Sequence, residues 1–127
     1  MSDNVYFLAE VTIKKGEFDN FKALVEEMVE TTQANEPNTL NYEWSITQDS
    51  QSRHIYERYA DSAATMTHLK TFREKFEERL VAAVEPTRFV VYGTPNIEVK
   101  ESLSGLDAVF MTPFLMIRRN QLKPWIR

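Results

Sequence analysis

Apolar positions along the chain change their period several times, and each change marks an element. Val5 to Ile13 (VYFLAEVTI) concentrates β-branched and aromatic residues, the make-up of a strand, and Lys14-Lys15-Gly16 ends it. From Glu17 the spacing switches: Phe18, Phe21, Val25, Met28 and Val29 recur at three- and four-residue steps with Glu26, Glu27 and Glu30 between them. That pattern predicts a helix with one buried stripe, stopped at Asn35-Glu36-Pro37-Asn38. Leu40 to Thr47 then alternates, with Leu40, Tyr42, Trp44 and Ile46 on one side and Asn41, Glu43 and Ser45 on the other, as a half-buried strand does. A polar turn over 48–52 leads into Arg53 to Tyr59, and so short a connection makes the pair an antiparallel hairpin.

Asp61 is a suitable N-cap for a helix through Ala63, Ala64, Met66, His68 and Leu69. Thr71 with Glu74 forms a capping-box pattern, so the following Phe72, Phe76, Leu80 and Val84 belong either to a second helix or to one kinked element, which Pro86 stops. Arg88 to Tyr92 and Asn96 to Lys100 read as one interrupted strand or two short ones around Gly93-Thr94-Pro95, and Ala108 to Arg118 as an extended arm. The order is that of an α+β, ferredoxin-like β-α-β-β-α-β domain, with helices on one face of a four-stranded antiparallel sheet. An aromatic-rich open face of that size is expected to close against a second copy, giving a homodimer. The domain is expected over 1–100, with 101–127 as an arm packing on it or on the partner subunit.

Composition narrows the function. A chain of 127 residues holds one domain, and 43% apolar content supports a real core. A net charge of -4 argues against nucleic acid as a partner. With no cysteine, thiolate catalysis and disulfides are excluded. The first ten residues lack the basic start and apolar run of a secretory signal, so a cytoplasmic location is expected by default. The apolar run Ala108 to Ile117 contains Pro113 and is half the length of a membrane span. The basic tail Arg118, Arg119, Lys123 and Arg127, with Trp125, suits an arm clamped on an acidic sister subunit.

The run Leu40-Asn41-Tyr42-Glu43, then Ile55-Tyr56-Glu57-Arg58-Tyr59, Asp61, Ala64 and His68, resembles the antibiotic biosynthesis monooxygenase (ABM) domain family. Asp107 to Pro113 and the arginine that follows resemble the C-terminal extension of its quinol monooxygenase-like members. The resemblance implies a dimeric α+β barrel that oxygenates phenols or quinols with O2, without metal, flavin or haem. The sequence is compatible with that: its two histidines, His54 and His68, form no paired metal-ligand spacing, and no phosphate-binding glycine motif is present.

Within that frame His68 is the candidate catalytic base, since imidazole titrates near neutrality, and otherwise a core histidine bonded to Glu57. Glu57, on one strand face with Ile55 and Tyr59, either orients His68 or pairs with an arginine. Tyr42, Trp44 and Tyr59 are candidate walls of an aromatic substrate pocket, with Phe72 beside them at a spacing that equally suits the core. Arg58 is expected on the opposite face, at a dimer seam or in solvent, and His54 at an exposed strand end. A haem-degrading branch of the superfamily uses an asparagine, a tryptophan and a histidine at positions that here hold Val11, His68 and Glu78, so haem chemistry is disfavoured. An isomerase acting on a small polar carbonyl compound and a non-catalytic ligand-binding dimer remain as alternatives.

Overall fold

The structure, a computed structural model, describes residues 3–49 and 52–117; the centre of the hairpin turn and the basic tail from Arg118 through Trp125 to Arg127 lie outside the described residues. Nine elements follow in order: β1 (Val5–Ile13), α1 (Phe18–Asn35), β2 (Thr39–Ile46), β3 (Arg53–Tyr59), α2 (Ser62–Lys75), α3 (Glu77–Ala83), β4 (Val84–Gly93), α4 (Ile97–Ser102) and β5 (Val109–Met111). They build an α+β, ferredoxin-like unit with an open sheet in the order β2-β3-β1-β4-β5. The first four strands pair antiparallel. β5 adds a parallel edge to β4 through Val90↔Val109 and Tyr92↔Met111, a strand beyond the four that the sequence pattern predicts.

The core lies between one sheet face and the helices. Val5, Phe7 and Val11 alternate inward from β1 opposite Tyr59, Glu57 and Arg53 of β3. Phe7 meets Tyr59 and Phe89 edge-to-face, with centroids 5.2 and 5.1 Å apart, adding a directional term to an aromatic burial that contributes on the order of 2 kcal/mol. Opposite the first residue of β1, Gly93 closes β4 with φ +101°, and a Cβ there would stand 2.5 Å from the carbonyl oxygen of Asn4. Asn4 in turn donates to the carbonyl of Ala60 and accepts from Arg58, which also donates to Asn41. Arg58 is thus half-buried in a polar brace rather than loose in solvent.

Several local expectations are corrected. The inward stripe of α1 is Phe21, Leu24, Met28 and Thr32, while Phe18 is half exposed. Of the alternating residues in β2 only Tyr42 and Trp44 pack inward, because the register shifts at Leu40 and Ile46 sits at the exposed end. Thr71 opens no helix: α2 runs unbroken to Lys75, and the break falls at Phe76, which is buried and leaves the helical region at φ -127°. Pro86 does not stop a helix but sits inside β4, where the register with β1 shifts and a missing N–H is tolerated. Asn96 to Lys100 is helical rather than extended, because Asn96 caps it by accepting from the Val99 amide, and Val99 and Leu103, four residues apart, are buried together. Among the described residues no helix is long and apolar enough to cross a membrane.

Candidate functional site

Strand β3 turns Arg53, Ile55, Glu57 and Tyr59 toward the helices, so a carboxylate is carried into the core and must find partners there. α2 supplies one. Its buried stripe is Ala64, Thr65, His68 and Leu69, and the two small side chains allow the helix to lie close against the sheet. The α2 N-terminus is set by Asp61, whose carboxylate accepts from the Ala64 amide at 2.8 Å. His68 Nε2 then stands 3.3 Å from Glu57 Oε1, which also accepts the Tyr59 hydroxyl.

The other ring nitrogen has a partner that the sequence reading missed. His68 Nδ1 lies 2.8 Å from Oε1 of Glu36, a residue read there only as part of a helix stop. Pro37 disfavours helical geometry for the residue before it, and Glu36 adopts φ -129°, ψ 75°. Its side chain is buried, with Thr39 Oγ1 donating to the same Oε1 at 2.9 Å. One signal pointed to it: Met28, Thr32 and Glu36 continue the buried side of α1 at four-residue steps. Among the described residues the buried second oxygen of Glu36 has no hydrogen-bond partner.

This arrangement sets the charge of His68. Burial favours the neutral ring, but hydrogen bonds to Glu36 and Glu57 and their negative charges outweigh it, and the His68 pKa rises to about 9. At neutral pH the side chain is an imidazolium with both N–H groups donating. The free base expected from imidazole's ordinary titration is therefore not what this environment favours. Burial, reinforced by Glu57, pushes the phenols of Tyr42 and Tyr59 well above their usual range, so both stay neutral.

Beside the imidazolium is a cavity of about 360 Å³. Its walls are Phe7, Ala9 and Ile55 of the sheet, Met28 of α1, Leu69 and Phe72 of α2, Leu80 of α3, and Leu103 and Leu106 from the segment after β4. Tyr42, Trp44, Glu57 and His68 line it as well. The Tyr42 ring stands edge-on to His68 at 5.1 Å and to Trp44 at 5.9 Å. Pro86, Arg88 and Asp107, all exposed, mark the rim. Five sequence candidates, Tyr42, Trp44, Glu57, His68 and Phe72, thus share one cavity. Tyr59 is fully buried and lies behind Glu57, in contact with it but not on the cavity wall. His54 faces away, with Nε2 3.5 Å from Glu10, which also holds Arg88. Among the described residues no group of three or more acids and histidines is placed to hold a metal ion.

A family model for antibiotic biosynthesis monooxygenases matches residues 4–72, more than half of the chain. The chain belongs to that family. The matched span of this ABM protein contains Glu36, Tyr42, Glu57 and His68. Among solved structures it is similar to MupZ from Pseudomonas fluorescens, with a TM-score of 0.77 and 21% identity over 94% of this chain and 91% of that one. SnoaB, a cofactor-independent oxygenase from Streptomyces nogalater, superposes with a TM-score of 0.61 and 16% identity, covering 75% of this chain and 96% of its own. A conserved protein from Methanosarcina mazei Go1 gives 0.61 and 18% over 70% of this chain and 90% of that one. At such identities the likeness establishes the fold. Among curated proteins there is no match.

Proposed function

We propose that this ABM protein is a cofactor-independent monooxygenase that oxidises a quinol or polycyclic phenol with O2 in the cavity beside His68. One observation carries the reading: a carboxylate and an imidazolium stand together on the wall of an otherwise largely apolar chamber. Membership of the ABM family and the likeness to a fold used by an oxygenase support it. Among the described residues Glu57 meets its hydrogen-bond partners, Tyr59 and His68, at Oε1, which leaves Oε2 to accept from a substrate hydroxyl. The phenolic proton passes to this carboxylate, and the positive charge of His68 stabilises the phenolate left behind. The phenolate gives one electron to O2. Recombination of the two radicals forms a carbon–oxygen bond, the peroxide anion takes the proton back from Glu57, and the hydroperoxide loses water with the hydrogen of the oxygenated carbon to leave a quinone. One phenol and one O2 become one quinone and one water, so no external reductant is needed.

The working unit is proposed to be a homodimer. Phe114, Leu115 and Ile117 are strongly exposed in the single chain, and β5 has no strand on its outer edge among the described residues.

The test is an oxygen-electrode screen of dihydroxynaphthalenes and related quinols with metal-free protein, run beside Glu57→Gln. That variant keeps the shape of the side chain, whereas His68→Ala leaves two buried acids without their cation and puts the fold at risk. The expected outcome is oxygen uptake matched to quinone formation, reduced about 100-fold or more in Glu57→Gln. Absence of uptake across the panel, or uptake that Glu57→Gln does not change, removes the proposal. Turnover of a substrate without oxygen uptake points instead to an isomerase, which the same proton-carrying pair would serve.

A further inference from the structure

The site is not built from the family domain alone. The family model ends at residue 72. Well beyond it the chain returns to the cavity: Leu103, Gly105, Leu106 and Asp107 all line it.

Its placement is specific. Asn96 caps α4 while its own amide donates to Ser62 Oγ at the start of α2. At the other end of α4, Arg73 of α2 grips Ser102 twice, through the hydroxyl and the carbonyl. α4 is therefore fastened at both ends to the helix that carries His68. A tight turn follows, with the Ser104 amide donating to Glu101 O and the Leu106 amide to Leu103 O. Gly105 at φ +85° and Asp107 at φ 54° are both left-handed and bracket Leu106. Leu103 is fully buried, whereas Leu106 keeps 48% of its surface exposed while lining the cavity. An apolar side chain held half in water by a constrained turn has no core to serve.

We propose that Leu106 is the specificity-determining wall of the cavity: it sets how large an aromatic ligand the site accepts, and it does so from a segment beyond the span of the family model. The inference rests on the reading of the cavity as a site for phenols, and adds to it the residue that selects among them. A bulkier side chain at 106 shortens the chamber, and a smaller one lengthens it, without touching Glu57 or His68.

The experiment measures calorimetric affinities of two probes, the two-ring 1-naphthol and the four-ring 1-hydroxypyrene, for the full chain and for Leu106→Ala and Leu106→Trp. The half-exposed position makes Leu106→Ala safe for folding, so it keeps the test decisive if Leu106→Trp fails to express. Relative to the unaltered chain, Leu106→Trp is expected to weaken 1-hydroxypyrene about tenfold or more against 1-naphthol, and Leu106→Ala to shift the ratio the other way. Both probes bound with a ratio that neither variant moves overturns the proposal, whatever the oxygen electrode reports. Binding with the expected shift but no oxygen uptake by any quinol leaves the wall in place and removes only the oxygenase reading. Failure of the unaltered chain to bind either probe overturns both.

Discussion

Three side chains, Glu36 just after α1, His68 of α2 and Glu57 of β3, meet in the interior, and their coupling has a measurable sign. The His68 pKa of about 9 in the folded protein lies above the ordinary 6.5, so its contribution to stability is complete below pH 6.5 and is lost as pH rises through 9. Urea unfolding at pH 6 and pH 9.5 is expected to differ by about 3 kcal/mol from this group, with the more alkaline sample less stable. Glu36→Gln removes one of the two anions holding the proton and is expected to flatten that dependence, with the His68 ring titrating nearer neutrality by NMR. Two of the three were legible in the sequence: strand alternation puts Glu57 inward, and the helix spacing puts His68 opposite it. Glu36 was hidden because a Glu-Pro step at a helix end is a strong stop signal, and nothing in a stop signal says where the side chain goes.

At the level of elements, local capping chemistry was readable and tertiary choice was not. Asp61 caps α2 as its position implies, and Asp61→Ala is expected to cost about 1 kcal/mol, read as a lowered midpoint in thermal unfolding with the His68 pH dependence retained. The pair Thr71 and Glu74 has the same local signature, yet it lies mid-helix. Phe76 decides the matter, since its ring is buried with Leu24 and Met28 of α1, a contact that no local pattern discloses. Asn96 to Lys100 shows the converse. Alternation in N-I-E-V-K mimics a strand, but the Asn96 cap and the burial of Val99 with Leu103 favour a helical turn.

For the whole molecule, the order of elements was enough to give the ferredoxin-like arrangement, because short connections leave few ways to pair four strands. The extended backbone of Val109 to Met111 lies within the arm that the sequence indicates, but its parallel pairing with β4 was not foreseeable, because three residues carry no signal of which edge they join. The proposed homodimer predicts a sedimenting species of twice the 14.9 kDa chain mass, and Phe114→Glu with Leu115→Glu is expected to shift it toward the monomer if the exposed apolar arm contributes to the contact. Gly93 imposes a constraint of another kind. Any methyl group at that position collides with the Asn4 carbonyl, and the positive φ penalises every L-residue even before the collision. The displaced Asn4 then disturbs Arg58 and Ala60 together, so a lesion remote from the chamber would loosen the start of β1 and the ends of β3 and β4 at once. Natural drift of this sequence should therefore stall at residue 93, with glycine retained there for geometric reasons that have nothing to do with chemistry.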